Sequence, residues 1–232
     1  MKINRTKKIL EFLEENSGIF SKYELQVIKS YIISEEYEKI LFLPDGVREI
    51  LDELGFLSDR QNIYQGFIDL ISSSFDLEGK EIIEIGGGRF PRLGKRLSEI
   101  PGVKSVTVYD PKLNPYVSDT DKLKLVRKKI RYTDNDVGGD LIIGLMPCKG
   151  AEVVIEQALN YNHDFMVALC EGGPHGDYFD YFDNEDEWIS SIMRHAELGI
   201  EKNKMGTFKV KSLIQYGDRY PVICNERIWF YG

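Results

Sequence analysis

Residues 81–90 read EIIEIGGGRF: a short β-branched run, Glu81 to Ile85, that closes on three consecutive glycines, Gly86, Gly87 and Gly88. The run is too short for an amphipathic helix and suits a buried parallel strand. The glycines permit a tight turn into a helical pattern at 91–99 and let main-chain amides approach a ligand closely. The helix start beyond them offers uncommitted N–H donors. A turn that merely packs a strand against a helix would use the same residues, so both readings stand at this point.

Outward from the turn the same rhythm repeats. VTVY at 106–109, IRYT at 130–133, LIIGL at 141–145 and FMVALC at 165–170 read as strands. Helical patterns lie between them at 118–129 and 151–161, and another follows at 185–198. Strands alternating with helices imply a parallel, doubly wound α/β sheet, because parallel neighbours need crossover connections. The end breaks the rhythm: TFKVKSLIQY (207–216) and VICNERIWFY (222–231) are separated only by GDRYP, too short for a crossover, so the two strands should pair antiparallel. Pro221, which lacks an amide donor, is expected at strand entry.

Upstream, Ser21 with Glu24 and Ser58 with Gln61 form capping boxes, and Pro44-Asp45-Gly46 is a turn. The expected organisation is a helical N-terminal extension over 1–76, followed by a Rossmann-like α/β domain over 77–232.

With 30 Lys and Arg against 38 Asp and Glu, the formal charge of the 232 residues is -8. This disfavours broad capture of nucleic acid or anionic lipid, which requires neutralising negative charge. Apolar runs fall far short of the roughly 20 residues of a membrane-spanning helix, and the first residues lack a secretory pattern, so cytoplasmic residence is expected. Cys148, Cys170 and Cys224 are odd in number and widely spaced, which suits reduced thiols and gives no metal ligand set.

Two acids sharpen the reading of the glycine turn. Asp110 ends the next strand, 22 residues after Gly88, where a carboxylate can accept hydrogen bonds from both hydroxyls of a ribose. A local Asx turn before Pro111 is the competing reading. Glu84, two residues before Gly86, suits a cofactor bearing an ammonium group better than one bearing a pyrophosphate. The dinucleotide fingerprint also fails, because its third glycine would fall on Pro91.

At these residues the sequence resembles the class I S-adenosylmethionine-dependent methyltransferase superfamily, over about residues 80–232. Glu84-Ile85-Gly86-Gly87-Gly88 is similar to its first motif, an acid before a glycine turn that surrounds the methionine part of the cofactor. The resemblance implies that Asp110 binds ribose. It also implies that Asp134, with Asp136 competing for the role, is the polar position near the adenine, and that Asp140 to Leu145 is the fourth-strand motif, with Leu145 lining the site. The terminal antiparallel pair resembles the closing strands of that fold. The chain departs from the family at Phe90-Pro91, in the short connection from Thr133 to Asp140, and at Met146-Pro147-Cys148, which replaces the N-P-P-aromatic motif of many amino methyltransferases.

The stretch 171–187 holds seven acids and no Lys or Arg, with Tyr178, Phe179, Tyr181 and Phe182 between them. It reads either as a lid recognising a polar or cationic substrate, or as an amphipathic helix packed on the core. His175 within it is the available general base, and a non-catalytic surface histidine is the plainer reading. Lys122 to Arg131 carries six basic residues in ten, read as the solvated face of a helix.

The expected function is transfer of a methyl group from S-adenosylmethionine to a small molecule. The alternatives are a non-catalytic S-adenosylmethionine-binding or assembly module of the same fold and, further off, an NAD(P)-dependent oxidoreductase. The N-terminal helices could cover the pocket, select substrate or form a homodimer surface.

Overall fold

A computed structural model describes residues 61–131, 133–147, 150–169, 185–215 and 218–226, together with Lys22, Tyr23, Gln26 and Lys29. The chain divides into two compact units, one of residues 1–61 with 114–117 and one of residues 62–113 with 118–232. The second unit holds the sheet.

Its helices are α1 (Gln61–Ser74), α2 (Arg92–Ser98), α3 (Ala151–Tyr161) and α4 (Glu185–Asn203). Its strands are β1 (Glu81–Ile85), β2 (Ser105–Tyr109), β3 (Leu123–Val126), β4 (Leu141–Leu145), β5 (Asp164–Ala168), β6 (Thr207–Gln215) and β7 (Asp218–Glu226). They form one seven-stranded sheet in the order β3-β2-β1-β4-β5-β7-β6. The first five are mutually parallel, while β7 runs antiparallel to both β5 and β6. This is the α/β, mostly parallel sheet with a closing antiparallel pair that the sequence implies.

The strands form where β-branched runs can be buried on both faces. Ile82, Ile142, Ile143, Val167 and Ile223 are all essentially inaccessible. One face packs on α3 and α4 through Val154, Ala158, Ile192 and Ala196. Trp188 of α4 lies in this core and donates its indole N–H to Glu152 Oε1 at 3.0 Å. Helix α1 reaches the far edge: Lys211 Nζ of β6 lies 2.6 Å from Ser74 Oγ and 2.6 Å from Glu226 Oε1.

Three expectations are corrected. Residues 118–129 are not a helix and 130–133 are not the third strand; β3 is Leu123–Val126. Leu123 and Leu125 are buried while Lys124 between them is exposed, a period of two that a strand satisfies and a helix does not. The outer edge of β3 is closed by its own approach: Leu123 exchanges main-chain bonds with Thr120, and Leu125 N donates to Asp119 Oδ1 at 3.0 Å.

Pro221 lies within β7, opposite Ser212 of β6, and not at its start. It is tolerated because the β5 ladder ends one residue away, at Ala168 and Val222, and its carbonyl still accepts Leu169 N at 2.9 Å. Finally, α4 runs to Asn203, more than one turn beyond the expected 198. The capping serines Ser21 and Ser58 lie outside the described residues.

Candidate functional site

Strand β1 delivers the glycine turn to the carboxyl edge of the sheet. Glu84 pairs with Val108 of β2 and Ile143 of β4, so Gly86 and Leu145, two residues further on each strand, emerge side by side. Asp110 follows directly on the Ile85–Tyr109 pair. Gly86, Leu145 and Asp110 therefore share one sheet edge, the edge where open α/β sheets bind ligands.

Gly86 and Gly88 have φ of 83° and 72°, a left-handed backbone that a side chain would strain. Gly86 N donates to Tyr109 O at 2.9 Å, which ties the turn to β2. A Cβ on Gly86 would fall 2.6 Å from the Cβ of Pro147, and one on Gly144 would fall 2.8 Å from Pro147 Cγ. Pro147 thus fills the side of the turn toward β4, next to Met146, whose φ of 49° is itself left-handed. The turn remains half-buried over Gly86, Gly87 and Gly88, so solvent reaches it.

Asp110 is both an Asx turn and a partner of the glycine turn. Its Oδ1 accepts Lys112 N at 2.6 Å and its Oδ2 accepts Gly88 N at 3.0 Å. A carboxylate offers about four acceptor positions. Two main-chain donors thus fix its orientation and leave capacity for hydroxyl groups.

Glu84 is placed differently from the expectation. Its carboxyl group does not stand at the mouth of the strand; it is turned under the glycine turn and only 3% exposed. A Cβ on Gly94 of α2 would fall 2.7 Å from its Oε2, and one on Gly87 would fall 3.3 Å from its Cδ. Burial pushes this carboxyl group up to about 8; the main-chain N–H of Gly94 pulls it down, and the nearby Asp110 charge raises it further. Its Oε2 has no hydrogen-bond partner. The two acids are near enough to feel each other, and the turn lies against both.

Asp134 does not join them. Its carbonyl accepts Gln157 Nε2 at 3.2 Å and Tyr161 Oη at 3.3 Å, and Tyr161 ends α3 just before β5 begins. Helix α3 returns from the carboxyl edge to the amino edge, so Asp134 sits toward the amino edge. Its carboxyl group accepts Arg131 N at 3.2 Å and pairs with Lys128 at 3.3 Å, contacts that hold it below its ordinary value. The cause is the displaced third strand: the chain leaves β3 at Val126, eight residues before Asp134. Asp136 accepts from Gly138 N and pairs with His163 at 2.7 Å.

Phe90 and Pro91, the departures from the family pattern, are buried beneath the start of α2, outside the turn itself. His175, Cys148, Cys170 and 171–184 lie outside the described residues, and Glu185 to Glu187 open α4. His195 pairs with Glu156 at 2.8 Å on the surface. Among the described residues no group of three or more His, Cys, Asp or Glu could hold a metal ion, and no helix is long and apolar enough to cross a membrane.

Sequence reading missed Gly94 and Pro147. A glycine inside a seven-residue helix, at a cost of up to about 1 kcal/mol, was the available signal of a close approach. A Cβ there would also meet Val108 Cγ2.

Neither a protein-family model nor a curated protein matches the sequence. Among solved structures the chain is similar to magnesium protoporphyrin IX methyltransferase from Synechocystis PCC 6803 with bound SAH, at 10% identity over 88% of this chain and 99% of that one, TM-score 0.48. It is similar to a putative methyltransferase complexed with the Trm112 activator from Haloferax volcanii, at 10% identity over 80% and 99%, TM-score 0.47. A putative S-adenosyl-L-methionine-dependent methyltransferase from Methanococcus maripaludis shares 13% identity over 79% and 94%, TM-score 0.46.

Proposed function

We propose that this chain binds S-adenosylmethionine at the Gly86–Gly88 turn and transfers its methyl group to an acceptor, a small molecule in preference to nucleic acid. The observation that carries the reading is the pairing of two acids around one glycine turn: Glu84 beneath it, with a buried oxygen that has no partner, and Asp110 beside it. Such a site fits a ligand with a cationic amino-acid end and a ribose. A pyrophosphate at this turn would meet the Asp110 carboxylate.

The sheet order points the same way. Dinucleotide-binding sheets of order 3-2-1-4-5-6 continue with a sixth parallel strand, whereas here that place is taken by antiparallel β7.

When bound, S-adenosylmethionine supplies a methyl carbon activated by the positive sulfur next to it. The chain's own part is orientation. Asp110, already aimed by Gly88 and Lys112, accepts ribose hydroxyls, the glycine turn admits the ligand's main body, and Leu145 lines the β4 side. Orientation of this kind can supply most of the acceleration, so a dedicated base is not required. His175 is the residue we assign to that duty should the acceptor need to lose a proton. We assign residues 1–76 the role of a helical extension that covers the pocket, selects substrate or pairs two copies.

The test is formation of S-adenosylhomocysteine across a panel of small-molecule and RNA acceptors, with parallel titrations of NAD and NADP. Turnover dependent on one small-molecule class is the expected result. Tight cofactor binding without product on any acceptor would instead mark a binding module, and nicotinamide-nucleotide binding would overturn the site.

A further inference from the structure

At the β3 edge of the sheet one face is left open. Leu123 and Leu125 are buried, with Leu123 toward Gly94 of α2, while Lys124 between them is exposed on the other face. There Lys124 stands beside Thr107 of β2 and Val126 beside Tyr109. Ser105, Thr107 and Tyr109 are only half-buried, and no described helix lies between β3 and β4 to cover them.

This face and its exit carry a concentration of positive charge. Six of the chain's 30 cations and none of its 38 acids fall in residues 122–131: Lys122, Lys124, Arg127, Lys128, Lys129 and Arg131, all exposed. Ordinary structural reasons do not account for the run. It is not the solvated face of a helix, because the residues form a strand and its exit. Nor does it guard an open edge against pairing. That edge is already closed, with Leu123 N bonded to Thr120 and Leu125 N to Asp119. The local acids offset little of the charge: Asp134 pairs with Lys128 at 3.3 Å, and Lys122 Nζ donates to a carbonyl, Val103 O, at 3.0 Å.

We propose that the open face of β3 and its exit form a docking surface for the phosphodiester backbone of a nucleic acid. The proposal concerns docking, not the methyl acceptor, and does not rest on the cofactor reading. Lys122 and Lys124 stand about 7 Å apart on one face, and the strand carries the row over about 13 Å. Beyond Val126, whose carbonyl accepts Asp110 N at 3.2 Å, the row continues at the carboxyl edge through Arg127, Lys128 and Lys129. A single phosphate or carboxylate meets one or two of these cations. A polymer with one negative charge per unit meets several at once and releases counterions from each.

An acidic protein fits less well. The closed edge bars addition of a peptide strand, and a protein interface needs an apolar centre. Here Leu123, Leu125 and Ile130 are buried, so the side chains the run presents to solvent are cationic. The formal charge of -8 repels a polyanion from the rest of the chain, so binding is confined to this row and falls steeply with salt.

The experiment titrates the full chain, without S-adenosylmethionine, into a labelled oligouridylate of about twelve nucleotides at several salt concentrations. Wild type should bind with a slope of log affinity against log salt near about -3, as expected for about four phosphates on a single strand. Lys124→Ala combined with Lys129→Ala should weaken binding at least about tenfold at about 50 mM salt and make the slope shallower by about 1.4. Lys202→Ala combined with Lys204→Ala removes the same charge from exposed positions at the end of α4, and should bind within about twofold of wild type. If urea denaturation shows the Lys124 and Lys129 alanine pair to be destabilised, Lys124→Gln with Lys129→Gln, which keeps the side-chain stems, decides in its place.

No binding by wild type at low salt, unchanged binding by the Lys124 and Lys129 pair, or an equal loss in the Lys202 and Lys204 pair would overturn the proposal. Polyglutamate of matched charge that displaces the label as well as unlabelled oligouridylate does would also overturn it, and would give the surface to an acidic protein.

Discussion

The connection from β1 to β2 and the connection from β3 to β4 solve the same problem, carrying the chain from one edge of the sheet back to the other, in opposite ways. The first uses a glycine turn and a short helix, with Asp110 holding the main-chain amide of Gly88 and Glu84 buried beneath the turn. The second has no helix among its described residues. Residues 127–140 run irregularly over the sheet, anchored by buried Ile130 and by Gln157 of α3, whose amide accepts Val137 N and donates to the carbonyls of Arg131 and Asp134. In one connection the polar groups face a solvent-reached turn at the carboxyl edge; in the other they are used up in holding the chain. Polar density alone does not make a site; what matters is acceptor capacity left over beside a reachable backbone.

The most severe way to break this contrast is Gly86→Val. It places a branched side chain at a φ of 83° and against Pro147, and should cost about 3 kcal/mol of stability and abolish ligand binding, read by denaturation and titration. Gln157→Leu tests the other connection. It strips the partner from Val137 N and one of two donors from each of the carbonyls of Arg131 and Asp134, so a loss of about 2 kcal/mol in denaturation is expected, with ligand affinity changed less than about threefold. An affinity loss as large as that of Gly86→Val would mean that the two connections are not separate in function.

Asp134→Asn should have the smallest effect. Its carboxyl group is held low by Arg131 N and Lys128, so its small contribution is present at neutral pH and fades as pH falls through that lowered value. Titration should give unchanged affinity; a marked loss would return Asp134 to the site.

The same contrast explains what the sequence disclosed. The β1 end was legible because its chemistry is local: Glu84, three glycines and Asp110 stand at fixed spacings from strand ends that burial dictates. The region from 118 to 134 was not. Leu123, Leu125, Val126 and Ile130 satisfy a helical period nearly as well as an alternating one, and tertiary pairing with β2 decides for the strand. That displacement carried Asp134 away from the place expected of it. The inward turn of Glu84 depends on how Gly87 and Gly94 pack against it, and the wedge of Pro147 against Gly86 is a contact across more than fifty residues of chain; spacing reveals neither. Pro221 was misplaced for a related reason, since only the end of the β5 ladder makes room for it inside β7.

The most direct test of the central claim is a calorimetric titration of S-adenosylmethionine into wild type and Asp110→Ala. Removing the carboxylate takes away the ribose acceptor and the partner of Gly88, so binding at micromolar to low millimolar concentration in wild type should weaken by about a hundredfold, equivalent to about 2.7 kcal/mol. Equal binding by the two proteins, or none by wild type, would contradict the account.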